Sequence, residues 1–148
     1  MVVCDPPINL HLRGKEQEAL QQQYKTNDFT SALILASLRV LEPGGSGVFS
    51  VAPSFLFEKR LEGFLSSLHD AGFRISACIQ APSGTRHNTS IATYLIVIDH
   101  GPQDDIFIAQ LKDDTKHLEH LLANLYRRKP KGDLSVGRLC SLSSFQGY

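Results

Sequence analysis

FTSALILASLRVLEPGGSGVFSV, residues Phe29–Val51, reads as a helix, a stop and a strand in one run. Phe29, Ala32, Leu33, Ala36, Val40 and Leu41 recur at three- and four-residue steps, the spacing of a helix face turned to a core, and Asn27 or Asp28 can cap its start. Pro43-Gly44-Gly45 stops it, and Val48-Phe49-Ser50-Val51 is largely apolar on both faces, as in a covered parallel strand. Upstream, Met1–Cys4 is a short apolar strand ended by Asp5-Pro6-Pro7, because proline has no N–H to give a ladder. Arg13–Tyr24, rich in Glu, Gln and Ala, predicts an exposed helix with little core surface. Downstream, Leu61, Phe64, Leu65, Leu68 and Ala71 predict another surface helix closed by Gly72. Phe73, Ile75, Ala77, Ile79 and Ala81 alternate as a strand, and Ile91–Ile98 follows so closely that an antiparallel pair is favoured. Ile106–Leu111 predicts one more strand, and Leu118, Leu121, Leu122 and Leu125 mark a last amphipathic helix ending in Tyr126-Arg127-Arg128-Lys129.

This order predicts an α/β domain with a mainly parallel sheet, an antiparallel last strand and helices on both faces. Its expected divisions are an α/β domain over 1–112, an amphipathic helix with a basic end over 113–131, and a loosely held Gly/Ser-rich tail over 132–148 that begins a following segment. With 148 residues the chain suits one hydrophobic core. Fifteen Lys plus Arg balance fifteen Asp plus Glu, so no global field draws nucleic acid or an anionic membrane, and any such contact must be local. The apolar runs fall short of the roughly 20 residues of a membrane helix, and the start has no signal-peptide pattern, so a cytoplasmic location is expected. Cys4, Cys78 and Cys140 are too widely spaced for a zinc or redox pair and are expected as reduced, structural thiols.

A doubly wound nucleotide site needs a glycine turn leaving a strand and entering a helix. Gly44-Gly45-Ser46-Gly47 runs the other way, from helix to strand, and is a helix stop. Against that background, Asp5-Pro6-Pro7-Ile8 after a strand resembles the Pro-Pro motif of amino-group methyltransferases that use S-adenosylmethionine. Ala36–Gly45 with Val48–Phe55 is similar to the following helix, turn and strand of N6-adenine DNA methylases. Ile79–Thr85 with Thr89–Val97 is similar to the two final strands of type I modification subunits. The resemblance covers Met1 to about Gly101 and corresponds to the second half of that Rossmann-like fold. It implies a cofactor half upstream of Met1 and no S-adenosylmethionine binding by this chain alone.

The resemblance also implies roles. The Asp5 side chain and the Pro6 carbonyl would accept the two N–H bonds of a flipped adenine, Pro7 would stiffen the turn, and Ile8 would lie against the base. Ile8 stands where the family places a stacking aromatic, and Arg86 where it commonly carries a Phe; Arg86 or His87 is then the side chain left to stack. Arg127 and Arg128 fit DNA phosphates and fit equally the dipole of the helix they end. Partners implied are DNA, the missing half, a specificity subunit, or a second copy joined through the first strand. A non-catalytic DNA-binding or subunit-interaction module, and an RNA or protein amino-group methyltransferase, are the alternatives. His117 and His120 have the spacing of metal ligands but no third ligand placed by sequence, which favours a solvated helix face. Phe55 and Phe57 fit packing under the next helix better than a base pocket.

Overall fold

Asp28 starts the central helix as the sequence suggests: its carboxylate accepts from the Ser31 N–H at 3.0 Å and from the Ser31 hydroxyl at 2.8 Å. The computed structural model describes residues 1–6, 13–24, 28–57, 60–82, 92–101, 105–128 and 132–141. In chain order the elements are β1 (Val2–Cys4), α1 (Lys15–Tyr24), α2 (Phe29–Leu38), β2 (Ser46–Val51), α3 (Pro53–Phe57) and α4 (Arg60–Asp70). Then come β3 (Phe73–Gln80), β4 (Tyr94–His100), β5 (Asp105–Gln110), α5 (Thr115–Arg127) and β6 (Arg138–Ser141).

The six strands form one sheet in the order β1-β2-β4-β3-β5-β6. β1 with β2 and β3 with β5 are parallel, whereas β4 inserts antiparallel between β2 and β3, and β6 runs antiparallel along β5. Four strands therefore share one direction, and β4 is reversed as the short link after β3 requires. β1 is the outermost strand on one side. β6 was not expected: 138–141 carries no apolar period, and pairing with β5 draws it into the sheet in place of a loosely held tail.

Two clusters fill the two faces. Ile34, Leu38, Phe49, Val51, Phe64, Leu68, Ile96 and Ile98 pack beneath α2 and α4, with Phe55 set edge-on to Phe64 at 5.2 Å between centroids. On the other face Leu121 of α5 closes over Ala77, Ile79, Phe107 and Ala109. Truncating a buried leucine of this kind to alanine typically costs about 2 to 5 kcal/mol, so each cluster matters to the fold. α1 buries no residue, in keeping with its polar sequence. Gly72, at φ +83°, closes α4 with a 3.0 Å bond from its N–H to the His69 carbonyl.

Two packing expectations need correction. Val40 is 76% exposed, and Ile34 and Leu38 take its place in the core. α2 is apolar on almost every side, so spacing does not choose its face, and it tightens after Leu38 into three-residue bonds such as Val40 N–H to Ser37 carbonyl at 3.3 Å. In β3 the register shifts between Ile75 and Ala77. That bulge puts Ile75 and Cys78 on the α2 face and Ala77 and Ile79 on the α5 face, so the alternation expected from 73 to 81 does not hold through Ser76.

Candidate functional site

Pro6 ends β1, and the parallel register Val2↔Gly47, Val3↔Val48, Cys4↔Phe49 carries the next residue, Asp5, alongside Ser50. The Ser50 hydroxyl donates a hydrogen bond to Asp5 Oδ1. Val2 and Cys4 pack against the α2 face, so alternation sends Val3 and Asp5 to the opposite face, with Val48 and Ser50 beside them. There they line an open concavity of about 380 Å³ together with Thr93 and Leu95. Thr93 is 4% exposed, and its Oγ1 has no hydrogen-bond partner among the described residues. A buried hydroxyl so placed carries a desolvation cost of about 1 to 3 kcal/mol that a donor or acceptor entering the concavity would offset.

The same end of the sheet gathers the C-terminal ends of the parallel strands, Gln80 of β3 and Gln110 of β5 included, whose side chains meet at 3.3 Å. Tyr94, paired with both Val51 and Gln80, begins β4 here. Burial, and secondarily the neighbouring Cys78, hold its phenol above the ordinary tyrosine value, so it stays a hydroxyl donor. Burial pushes the Cys78 thiol up to about 12. Burial and then the neighbouring Asp5 raise the Cys4 thiol as well, so neither is a nucleophile at neutral pH. All three cysteines are free thiols.

Of the residues singled out by sequence, Asp5 and Pro6 are described; Pro7, Ile8, Arg86 and His87 lie outside the described residues. Arg127 is exposed at the end of α5. Arg128 differs from Arg127 in that its guanidinium is engaged within the chain. It takes a left-handed conformation at φ 50° and turns its guanidinium inward. There it donates to the Ser76 carbonyl at 2.7 Å, the Asp105 carbonyl at 3.1 Å and the Asp105 carboxylate at 3.1 Å. It thus fills the gap opened by the β3 bulge. Asp105 begins β5, whereas Asp5 sits level with the ends of β3 and β5, so the structure sets Arg127 and Arg128 at the opposite end of the strands from Asp5. His117 bonds the Gln110 carbonyl at 3.0 Å, and the described residues hold no group of three or more His, Cys, Asp or Glu fit for a metal ion. Ser50 and Thr93 escape a sequence reading, since a polar residue within or beside a strand normally marks a solvated face.

Arg128 yields a direct prediction. Arg128→Ala, which leaves the Ser76 and Asp105 carbonyls short of a donor, is expected to cost about 2 to 3 kcal/mol in urea unfolding. Arg128→Gly, free of the left-handed penalty, should recover about 1 kcal/mol of that loss. Arg127→Ala should shift stability by less than about 0.5 kcal/mol. Equal midpoints for Arg128→Ala and Arg127→Ala would show that the guanidinium holds nothing.

The sequence matches no protein-family model and no curated protein. Its structure, by contrast, is similar to solved methyltransferases. A modification subunit assigned to a type I restriction enzyme from Vibrio vulnificus YJ016 superposes with a TM-score of 0.74 at 16% identity, over 96% of this chain and 33% of that one. A type I restriction-modification methyltransferase subunit from Streptococcus thermophilus gives 0.73 at 16% identity, over 96% and 34%. A protein assigned as a class I S-adenosylmethionine-dependent methyltransferase from Listeria monocytogenes gives 0.64 at 13% identity, over 83% and 41%. The chain has part of the class I methyltransferase fold and spans about a third of the length of the modification subunits it matches. Among the described residues no helix is long and apolar enough to cross a membrane.

Proposed function

We propose that this chain supplies the amino-acceptor end of a DNA adenine-N6 methyltransferase of restriction-modification type. The observation that carries the reading is Asp5-Pro6 at the end of β1, level with the ends of the other parallel strands, in a fold shared with modification subunits. An aromatic amine is a poor nucleophile because its lone pair is delocalised into the ring. A carboxylate and a carbonyl accepting its two N–H bonds localise that pair and fix its direction. In this reading the Asp5 carboxylate and the Pro6 carbonyl do this for a base turned out of the duplex stack. The sequence resemblance assigns Pro7, Ile8, Arg86 and His87 to the same site. Arg127 is the remaining described candidate for phosphate contact. It lies far along the strands from Asp5, so it would touch DNA well away from the target base.

S-adenosylmethionine is the methyl donor this fold suggests, and in this reading its site belongs to other polypeptide. Of the turns that leave the parallel strands, those after β1, β2 and β5 carry Pro6, Pro53 and Lys112-Asp113-Asp114. None offers the glycine-rich run of backbone N–H groups that such a cofactor needs. The donor would therefore be held by other polypeptide, and DNA, a specificity subunit or a second copy are the proposed partners.

Two measurements test the reading. By calorimetry the isolated chain should show no saturable heat with S-adenosylmethionine; micromolar binding would overturn the assignment of the cofactor to other residues. In its complete assembly, labelled methyl groups should appear as N6-methyldeoxyadenosine after DNA digestion. Label recovered in RNA or protein, or in none of the three, would overturn the DNA reading and favour, respectively, another amino-group substrate or a non-catalytic module.

A further inference from the structure

We infer that Ser50 is a positioning residue for Asp5, an inference that rests on the reading of Asp5 as the acceptor of the reacting amine. Asp5 is exposed and comes directly after the three-residue strand β1, and its carboxylate has several staggered rotamers to choose among. A carboxylate that must accept from an amino group along one direction needs such a choice made for it. Ser50 makes it. β2 is the longer and better-buried partner, with Phe49 fully buried and Val51 nearly so on the far face, and these fix where Ser50 stands. From there its hydroxyl donates to Oδ1 of Asp5 across 45 residues of chain. Holding Oδ1 orients the whole planar carboxylate above the concavity beside Thr93. Ser50 touches neither base nor methyl donor in this arrangement; it acts through Asp5.

The test separates shape from hydroxyl. Thr and Val have the same outline and both suit a half-buried strand position, but only Thr can donate to Asp5. In the complete methyltransferase, Ser50→Val is expected to lower kcat by roughly ten- to a hundredfold, the range for losing one hydrogen bond to a charged group, with KM for DNA and for the methyl donor unchanged. Ser50→Thr should recover most of that loss. In the isolated chain, the ¹³C carboxyl resonance of Asp5 should move in Ser50→Val and return toward the wild-type position in Ser50→Thr. Val and Thr variants equal in both kcat and resonance would overturn the inference. An Asp5→Ala protein with wild-type activity would instead overturn the reading of Asp5 itself, whatever the resonance does, so the two failures are distinguishable.

Discussion

Asp5→Ala is expected to lower methyl transfer by about a hundred- to a thousandfold while DNA affinity stays within a fewfold of wild type. The size follows from what is removed: a preorganised negative acceptor at the reacting amine, a loss that in comparable sites costs about 10² to 10³ in rate. DNA affinity should survive because it rests mainly on phosphate contacts, and Asp5, a carboxylate, makes none. Folding should survive too, since Asp5 is exposed and lies outside both hydrophobic clusters. Single-turnover methylation beside an electrophoretic mobility assay at fixed salt reads both quantities. Equal single-turnover rates would remove Asp5 from the chemistry.

A second large effect concerns stability. Gly137 lies just before β6 at φ +93°, and a Cβ there would sit 1.9 Å from Cζ of Phe107, a ring that is fully buried under α5. Gly137→Ala must therefore bear the left-handed penalty of about 1 to 2 kcal/mol and push a core ring aside, which typically costs a further 1 to 3 kcal/mol. We expect a loss of about 2 to 5 kcal/mol in urea unfolding. Gly44→Ala is the control: its φ is +80°, but no atom lies within 4 Å, so only the backbone penalty of about 1 to 2 kcal/mol applies. If the two variants unfold at the same midpoint, the packing of Gly137 on Phe107 is not what closes the β5–β6 end.

What the sequence revealed and what it hid divide along physical lines. Helices and strands delimited by local chemistry were legible: Asp28 caps, Gly72 terminates, and Pro6 ends a strand in ways that depend on each residue's own donors and dihedrals. Asp5 was legible for the same reason, because a carboxylate before two prolines after an apolar run is a local pattern. Features created by the meeting of distant segments were not. The shift at Ser76 has no marker in Phe73–Gln80, since both phases of that strand are apolar enough to be buried. Arg128 looks like its neighbour Arg127 in a basic run, and only the gap left by that shift turns one inward and leaves the other in water. β6 exists because β5 has a side to pair with, and Ser50 matters because β1 brings Asp5 to it.

The three-residue length of β1 has a consequence for how the health of this protein should be judged. Among the described residues β1 pairs with β2 alone, and Val3 at its centre is 72% exposed. Such a segment can peel away and return while both hydrophobic clusters stay intact, so its opening free energy lies below that of global unfolding. The carboxylate travels with it. A melting curve records the collapse of the clusters around Phe49 and Phe107 and is blind to this earlier fraying. Native-state amide exchange along β1, compared with β4 at the middle of the sheet, is the measurement that reports how much of the time Asp5 is in place.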